Sequence, residues 1–175
     1  MNQDPTQPIE SFLKNFLNSL DSQYQPTSNV ANYALQFGSS LKRTSALILN
    51  GKPIIPTPQE DSKLTFQKKW LSTPLTSHQL TSYDAHLIPG TGQFIINFSA
   101  KVKFDQSGKN RLGESADLIK EPTTVTNANS KPRPIWGSWN GIIGNLVVDE
   151  TLQNECINSL DYRLTYIPQD SILKF

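Results

Sequence analysis

Apolar and polar side chains alternate along residues 93–105, QFIINFSAKVKFD. A period of two over this length predicts a long β-strand that is buried on one side. The apolar side of this strand carries Phe94, Ile96, Phe98, Ala100, Val102 and Phe104. The other side carries Gln93, Ile95, Asn97, Ser99, Lys101 and Lys103. Because the middle of that second side is mild and uncharged, a partner protein could cover it, and it is the first candidate for function.

Three segments before this strand show helical patterns. Apolar residues at helical spacing predict an amphipathic helix over about residues 8–21 and a shorter helix over 30–37, ended by a glycine. A third helix is expected from Thr57, which has the features of an N-cap, to about residue 71. Helices therefore precede most of the strands.

The remaining elements are strands. Asn50 and Gly51 predict a tight hairpin, and the turn at 89–92 joins a strand over 77–88 to the long strand. Two more strands are expected over 135–149 and 162–167. Helices followed by an antiparallel sheet indicate an α+β fold.

The strand over 77–88 contains an unusual aspartate. Alternation places Asp84 on one side together with Leu80, Ser82 and His86. A carboxylate in a half-apolar strand is costly to cover unless a cation pairs with it. The chain offers no obvious internal basic partner, so Asp84 is either a contact for a partner's cation or a solvated strand residue.

Residues 105–134 form a long segment without apolar periodicity, which is typical of a functional or disordered loop. RNA binding through this region would use its five basic residues, Lys109, Arg111, Lys120, Lys131 and Arg133. Four acidic residues in the same segment argue against strong RNA affinity. Beside it, Trp136 and Trp139 either stack on a base or, as is more common, pack in the core or against the sheet.

Composition narrows the class of protein. The 175 residues suit one domain, expected over 8–175 after a flexible N-terminus at 1–7, and the net charge of +1 requires no polyanionic partner. A single cysteine, Cys156, excludes an internal disulfide and favours an intracellular protein. Membrane insertion and secretion are not expected. Neither a catalytic motif nor a convincing metal site is present, since His78 and His86 lack further ligands.

Four stretches carry a family resemblance: YDAHLIPGTG at 83–92, KVKFDQSGKNRLG at 101–113, KPRPIWG at 131–137 and PQDSILKF at 168–175. Together they resemble the mRNA transport regulator family, the small subunits of the fungal mRNA export receptor. The element order likewise resembles the nuclear transport factor 2-like cone, in which N-terminal helices pack on a strongly bent antiparallel sheet.

The resemblance implies a catalytically silent subunit that needs no cofactor. It implies pairing, through the sheet, with the similar domain of a large export receptor subunit, and the family's partner-facing aspartate corresponds to Asp84. It also places Ile95, Asn97, Ser99 and Lys101 against that partner. We therefore predict a partner-binding set consisting of Asp84, Leu80, Ser82, His86, Ile95, Asn97, Ser99 and Lys101.

The family's wider properties are further expectations. They are export of mRNA and large ribosomal subunits, contact with phenylalanine-glycine nucleoporins directly or through the partner, and weak contact with RNA or pre-ribosomes. The implied location is the nucleus and nuclear pore complex, with shuttling to the cytoplasm. The alternatives are an isomerase-like or dehydratase-like enzyme with the same fold and an RNA-binding module. Against an enzyme, the predicted cavity side of the long strand offers no acid–base pair.

Overall fold

The computed structural model describes residues 7–25, 29–113, 134–169 and 171. Within these residues the chain forms three helices and six strands. They are α1 (Ile9–Leu20), α2 (Val30–Ala34), β1 (Leu41–Leu49), β2 (Lys52–Pro53), α3 (Ser62–Leu71), β3 (Thr76–Ile88), β4 (Gln93–Phe104), β5 (Asn140–Asp149) and β6 (Ile157–Tyr166). The predicted α+β fold is therefore confirmed.

All six strands belong to one sheet, in the order β2-β1-β6-β5-β4-β3. Every neighbouring pair is antiparallel except β1 and β6, which run parallel. The parallel pair differs from the prediction of a purely antiparallel sheet. The chain forms β2, α3 and the antiparallel strands β3 to β5 before β6 pairs with β1. β4 lies between β3 and β5, inside the sheet.

The helices cover one side of the sheet, which we call the inner face. The long strand has the predicted pattern, with every second residue from Phe94 to Phe104 buried. α1 packs on β3 and α3 on β1, and the Trp70 indole meets the Tyr162 ring of β6 edge-on at 5.7 Å between centroids. Trp70 also donates a hydrogen bond to the Leu20 carbonyl at 2.9 Å, which ties α3 to the end of α1.

Local signals predict some boundaries better than others. The hairpin at Asn50 and Gly51 is confirmed, with φ of +51° and +80°. The predicted N-cap of the third helix is wrong. Thr57 and Glu60 close a separate turn, whereas the Asp61 carboxylate accepts a hydrogen bond from the Leu64 amide and caps α3.

A β-bulge interrupts β3. Leu80 pairs with Ala100, and the next paired residue, Ser82, lies opposite Ser99, so Thr81 is the extra residue. The Thr81 hydroxyl donates to the Ser99 carbonyl at 2.8 Å. Because one inserted residue reverses the side on which later side chains point, β3 changes face at this position.

Several predictions concern residues outside the described ranges. The flexible N-terminus at 1–7 is described only at Gln7, and the loop at 105–134 only at 105–113 and Pro134. The predicted division into a flexible N-terminus and a single domain with a long loop therefore stays a prediction. Among the described helices, none has the length and apolar character needed to cross a membrane.

Candidate functional site

The side of the sheet away from the helices, which we call the outer face, carries the candidate site. Strand register assigns its residues, since directly paired residues share a face. The outer face includes Ser82, Asp84 and His86 of β3, Ile95, Asn97, Ser99, Lys101 and Lys103 of β4, Gly141, Ile143, Asn145 and Val147 of β5, and Ser159, Asp161, Arg163 and Tyr166 of β6. No described helix packs against it.

A polar row crosses four strands at the middle of this face. Asp84, Asn97, Asn145 and Asp161 lie opposite one another in register. Asn145 Nδ2 donates to Asn97 Oδ1 at 2.7 Å, and Asn97 Nδ2 donates to Asp84 Oδ1 at 3.1 Å. The two amides thus hold the Asp84 carboxylate in one orientation while its side chain stays 63% exposed.

The two carboxylates of the row differ in charge balance. Arg163 donates from Nε and Nη2 to both oxygens of Asp161, at 2.8 and 3.1 Å. This pairing raises the pKa of the Arg163 guanidinium. Among the described residues, the nearest basic group to Asp84 is His86, whose Nε2 is 3.6 Å from Oδ1, longer than a hydrogen bond. Of the two carboxylates in the row, Asp161 is therefore paired with an arginine, whereas Asp84 has only a histidine close to it among the described residues.

A pocket of about 490 Å³ opens over the row. Its polar wall is formed by Asp84, Asn97, Asn145, Asp161 and Arg163, and Ser82, Ser99 and Ile143 complete its outer-face lining. Apolar side chains flank the polar row, since Ile95 and Val147 pair on one side of it. On the other side, Ile143 is 45% exposed. A mixed surface of this kind suits a protein partner better than a small polar substrate.

The structure brings most of the predicted partner-binding set together on this face. Ser82, Asp84 and His86 are exposed on β3, beside Ile95, Asn97, Ser99 and Lys101 of β4. Leu80 is the exception, and its assignment to this side is wrong. The bulge at Thr81 puts Leu80 opposite Ala100 on the inner face, where it packs against the core.

Arg111 does not belong to an RNA-binding surface, contrary to the sequence prediction. Its side chain is buried against Phe37 and Trp70, each 5.1 Å from ring centroid to guanidinium carbon. The guanidinium donates to the Trp70 carbonyl and the Thr76 hydroxyl at 3.1 and 2.8 Å. Burial lowers the pKa of Arg111 to about 10. Lys109 is exposed, as expected, while Lys120, Lys131 and Arg133 lie outside the described residues.

Sequence reasoning missed a chain of buried polar groups on the inner face. His78 Nδ1 lies 2.5 Å from Asp21 Oδ1, and its Nε2 lies 2.8 Å from the Tyr162 hydroxyl. The prediction concerned the apolar side of the long strand alone, whereas these groups come from β3, the end of α1 and β6. Nothing in the spacing signals these contacts, because Asp21 and Tyr162 are 57 and 84 residues away from His78.

The hydrogen-bonded groups of Asp21, His78 and Tyr162 have the features of a structural network. The His78 side chain has no exposed surface, and both its ring nitrogens have partners within the protein. Burial raises the pKa of the Tyr162 hydroxyl well above its ordinary value. Among the described residues, no three His, Cys, Asp or Glu side chains come close enough to hold a metal ion.

Trp136 and Trp139 do not occupy the core, so the favoured interpretation, packing in the core or against the sheet, is wrong in its first part only. They remain 36% and 38% exposed. The Lys103 ammonium lies over both rings, 5.2 Å from the centroid of Trp136 and 5.0 Å from that of Trp139. Both tryptophans thus contact Lys103, an outer-face residue. They lie at one end of the outer face, away from the polar row.

Relatives of the chain share its whole length. The family model described as nuclear pore RNA shuttling protein Mtr2 matches residues 3–175. The mRNA transport regulator MTR2 of Candida albicans is 66% identical over 99% of both chains. That of Saccharomyces cerevisiae is 33% identical over 94% of this chain and 89% of its own.

Solved structures that match this chain indicate the same family and fold. The C. albicans Mtr2–Mex67 M domain complex contains a chain that matches with a TM-score of 0.83 and 64% identity, covering 96% of this chain and 100% of that one. A nuclear transport factor 2-like protein from Cytophaga hutchinsonii matches with a TM-score of 0.53 at 11% identity, over 94% and 99% of the two chains. The latter likeness concerns the fold alone, and it confirms the predicted fold family.

Proposed function

Because the chain belongs to the Mtr2 family of nuclear pore RNA shuttling proteins, we propose that it is the non-enzymatic small subunit of a heterodimeric mRNA export receptor. Its partner is a large subunit of the Mex67 type, since the C. albicans relative forms a complex with the Mex67 M domain. The outer face of the sheet binds that domain.

The observation that carries this assignment is the state of Asp84. Its carboxylate lies at one end of the polar row and is oriented by Asn97, whereas Asp161, the carboxylate at the other end, is already paired with Arg163. Covering an unpaired carboxylate with a second protein costs free energy unless the partner supplies a cation. The partner therefore places a basic side chain, best an arginine, in the pocket over the row.

The surroundings of Asp84 supply the apolar part of the contact. Ile95, Val147 and Ile143 flank the row and are partly or largely exposed in the free chain. Burying these side chains provides the favourable free energy of association, whereas the ion pair fixes the position of one sheet on the other. Ser82, Ser99, His86 and Lys101 complete the contact surface.

The test is co-purification of this chain with the M domain of the large subunit. Asp84→Arg places a positive charge where we expect the partner's cation, so pairing should be lost. Removing one member of a buried charge pair costs about 2–5 kcal/mol, or roughly 30-fold to several thousand-fold in affinity. Asp84→Asn, which keeps the shape and removes the charge, should weaken pairing less than Asp84→Arg does.

The matched control is Glu10→Arg, a charge reversal on the exposed side of α1, where Glu10 pairs only with Lys14. It should leave pairing unchanged. Circular dichroism must show that each variant folds. If Asp84→Arg pairs normally, Asp84 is not a partner contact, and if Ile143→Glu also pairs normally, the outer face is not the interface.

The wider family properties extend this proposal. The heterodimer would work at the nuclear pore complex, shuttle between nucleus and cytoplasm, and also carry large ribosomal subunits. Binding of phenylalanine-glycine repeats by this chain, by its partner or by both can be separated by pull-down with each subunit alone. Loss of repeat binding in every sample would remove the pore-passage part of the proposal.

A further inference from the structure

Three aromatic side chains stand exposed at the end of the outer face where β4 finishes and β5 begins. Trp136 and Trp139 are 36% and 38% exposed, and Tyr166 is 62% exposed. Tyr166 pairs with Gly141, which in turn pairs with Lys101. Since tryptophan and tyrosine are normally buried to a larger extent, three exposed rings at one end of a sheet indicate a ligand.

The cations at this end lack acidic partners among the described residues. Lys103 contacts the faces of the two indoles, and Lys101 is exposed with no ion pair. The nearby carboxylate of Asp105 is buried and accepts hydrogen bonds from Ser107 and from the Ile135 amide. The charges that Lys101 and Lys103 bring to this end are therefore not paired with a carboxylate among the described residues.

The backbone holds these rings in place. Gln106 donates to the Ile135 carbonyl at 2.8 Å, and Gly137 donates to the Phe104 carbonyl at 3.0 Å. The Gln106 side chain fills the space that a Cβ on Gly137 would occupy. The backbone of the segment that carries Trp136 is thus tied to the end of β4, which lowers the ordering cost of presenting its ring.

This surface is separate from the polar row. Lys103 lies six residues along β4 from Asn97, about 20 Å at the rise of a strand. The row is acidic and suits a partner's cation, whereas the aromatic end is cationic. Lys101 lies between the two and belongs to neither alone.

We propose that the aromatic end, defined as Trp136, Trp139, Tyr166 and Lys103, binds single-stranded RNA. Bases stack on the exposed rings, and Lys103, helped by Lys101, contacts the phosphates. Aromatic rings interleaved with cations are the features by which proteins hold single strands without reading a sequence. A protein ligand would instead require carboxylates to match the lysines. This inference does not depend on the pairing proposed above.

The experiment titrates the full-length chain with an oligouridylate of about ten nucleotides, alone and in complex with the large subunit's M domain. Intrinsic tryptophan fluorescence is the readout. Of the three tryptophans, Trp70 is 3% exposed and buried against the inner face, so quenching reports Trp136 and Trp139. We expect quenching that weakens with added salt, and a duplex RNA of the same length should quench little because its bases are not accessible.

Variants locate the site. Trp136→Ala and Trp139→Ala should each weaken binding about fivefold or more, measured by anisotropy of a labelled oligonucleotide, and Trp139→Phe should retain part of it. Lys103→Gln should reduce the slope of log affinity against log salt by about 0.7, the value for one phosphate contact. Lys69→Gln, an exposed lysine on α3, is the matched control and should change neither.

The outcomes separate the two proposals. RNA affinity that is unchanged in both tryptophan variants overturns this inference, as does a salt slope that Lys103→Gln does not alter. Tryptophan variants that lose the large subunit but keep RNA also overturn it, and would make the aromatic end part of the protein interface. Failure of Asp84→Arg to disturb pairing would affect only the partner assignment.

Discussion

The Asn97 side-chain amide donates a hydrogen bond to the Asp84 carboxylate across the β4–β3 pair, at 3.1 Å. Asn97 itself accepts from Asn145 at 2.7 Å, so its own orientation is set by β5. A carboxylate held in one orientation loses less conformational entropy when a partner's cation binds. Asn97 is therefore a positioning residue for the proposed contact at Asp84.

We predict that Asn97→Ala weakens binding of the large subunit while leaving the fold intact. Loss of one hydrogen bond to a charged group costs about 1.5–3 kcal/mol at most, so a 10-fold to 100-fold increase in Kd is the expected range. Calorimetric titration measures it. Asn15→Ala on the exposed side of α1 serves as the control, and equal affinities of the two variants would show that Asn97 does not position Asp84.

Arg111 should matter for stability. Arg111→Ala removes its bonds to the Trp70 carbonyl and Thr76 and leaves space between Phe37 and Trp70, so we expect a loss of about 2–4 kcal/mol in the free energy of unfolding. Denaturant unfolding measures this loss. Arg111→Met, which fills the same space without a charge to desolvate, should cost less.

Lys109→Ala is the comparison for Arg111, because this neighbouring lysine is exposed and its truncation should change stability by less than about 0.5 kcal/mol. Equal unfolding midpoints for Arg111→Ala and Lys109→Ala would contradict the buried position of Arg111.

Tyr162→Phe tests the buried polar chain. The substitution removes the hydroxyl that His78 Nε2 contacts at 2.8 Å and leaves that nitrogen buried without its partner. The expected loss is about 1–3 kcal/mol of unfolding free energy, with pairing and RNA binding unchanged. Tyr166→Phe, on an exposed tyrosine of the same strand, is the control for stability. An unaltered midpoint for Tyr162→Phe would mean that the hydroxyl contributes nothing to the fold.

The ionised Asp149 carboxylate should stabilise the fold at pH values above its pKa. Its carboxylate accepts from Lys42 Nζ at 2.8 Å and from Asn158 at 2.9 Å, and these bonds, Lys42 first, lower its pKa in the folded state. A folded-state pKa below the unfolded value of about 3.9 stabilises the protein above that pH, and the contribution disappears as pH falls through the folded pKa.

Asp149→Asn should therefore lower the unfolding free energy at neutral pH and flatten its decline below about pH 4. Because the side chain is about one-third exposed, the loss should stay below about 1 kcal/mol. Glu10→Gln, which disrupts a surface pair on α1, is the control and should change stability less. Parallel pH–stability curves for Asp149→Asn and the unsubstituted chain would refute the linkage.

The elements that sequence reasoning located correctly are those with a local cause. Alternation in 93–105 marks β4 and both its faces, helical spacing marks α1, and the Asn50-Gly51 pair marks the first hairpin. In each case the signal is contained in neighbouring residues, and burial of the apolar side then selects one register.

The failures have a common physical reason. Leu80 was assigned to the wrong face because the bulge at Thr81 depends on pairing with β4, which the pattern of β3 alone does not contain. The same bulge puts His78 and His86 on opposite faces, although they are eight residues apart. A basic residue in a loop is normally solvated, which favours a surface position for Arg111, whereas two aromatic rings and three oxygen acceptors surround it in the structure.

By itself, the sequence determined the fold class, the family and the uncharged middle of the outer side of β4, because periodicity and motifs are properties of neighbouring residues. Only the tertiary structure decided which polar groups meet: Asp84 with Asn97 on one face, His78 with Tyr162 on the other, and Lys103 with two tryptophans at the end of the sheet. Hydrogen bonds and ring contacts act over a few ångströms in space. They therefore depend on strand register, which the whole sheet sets.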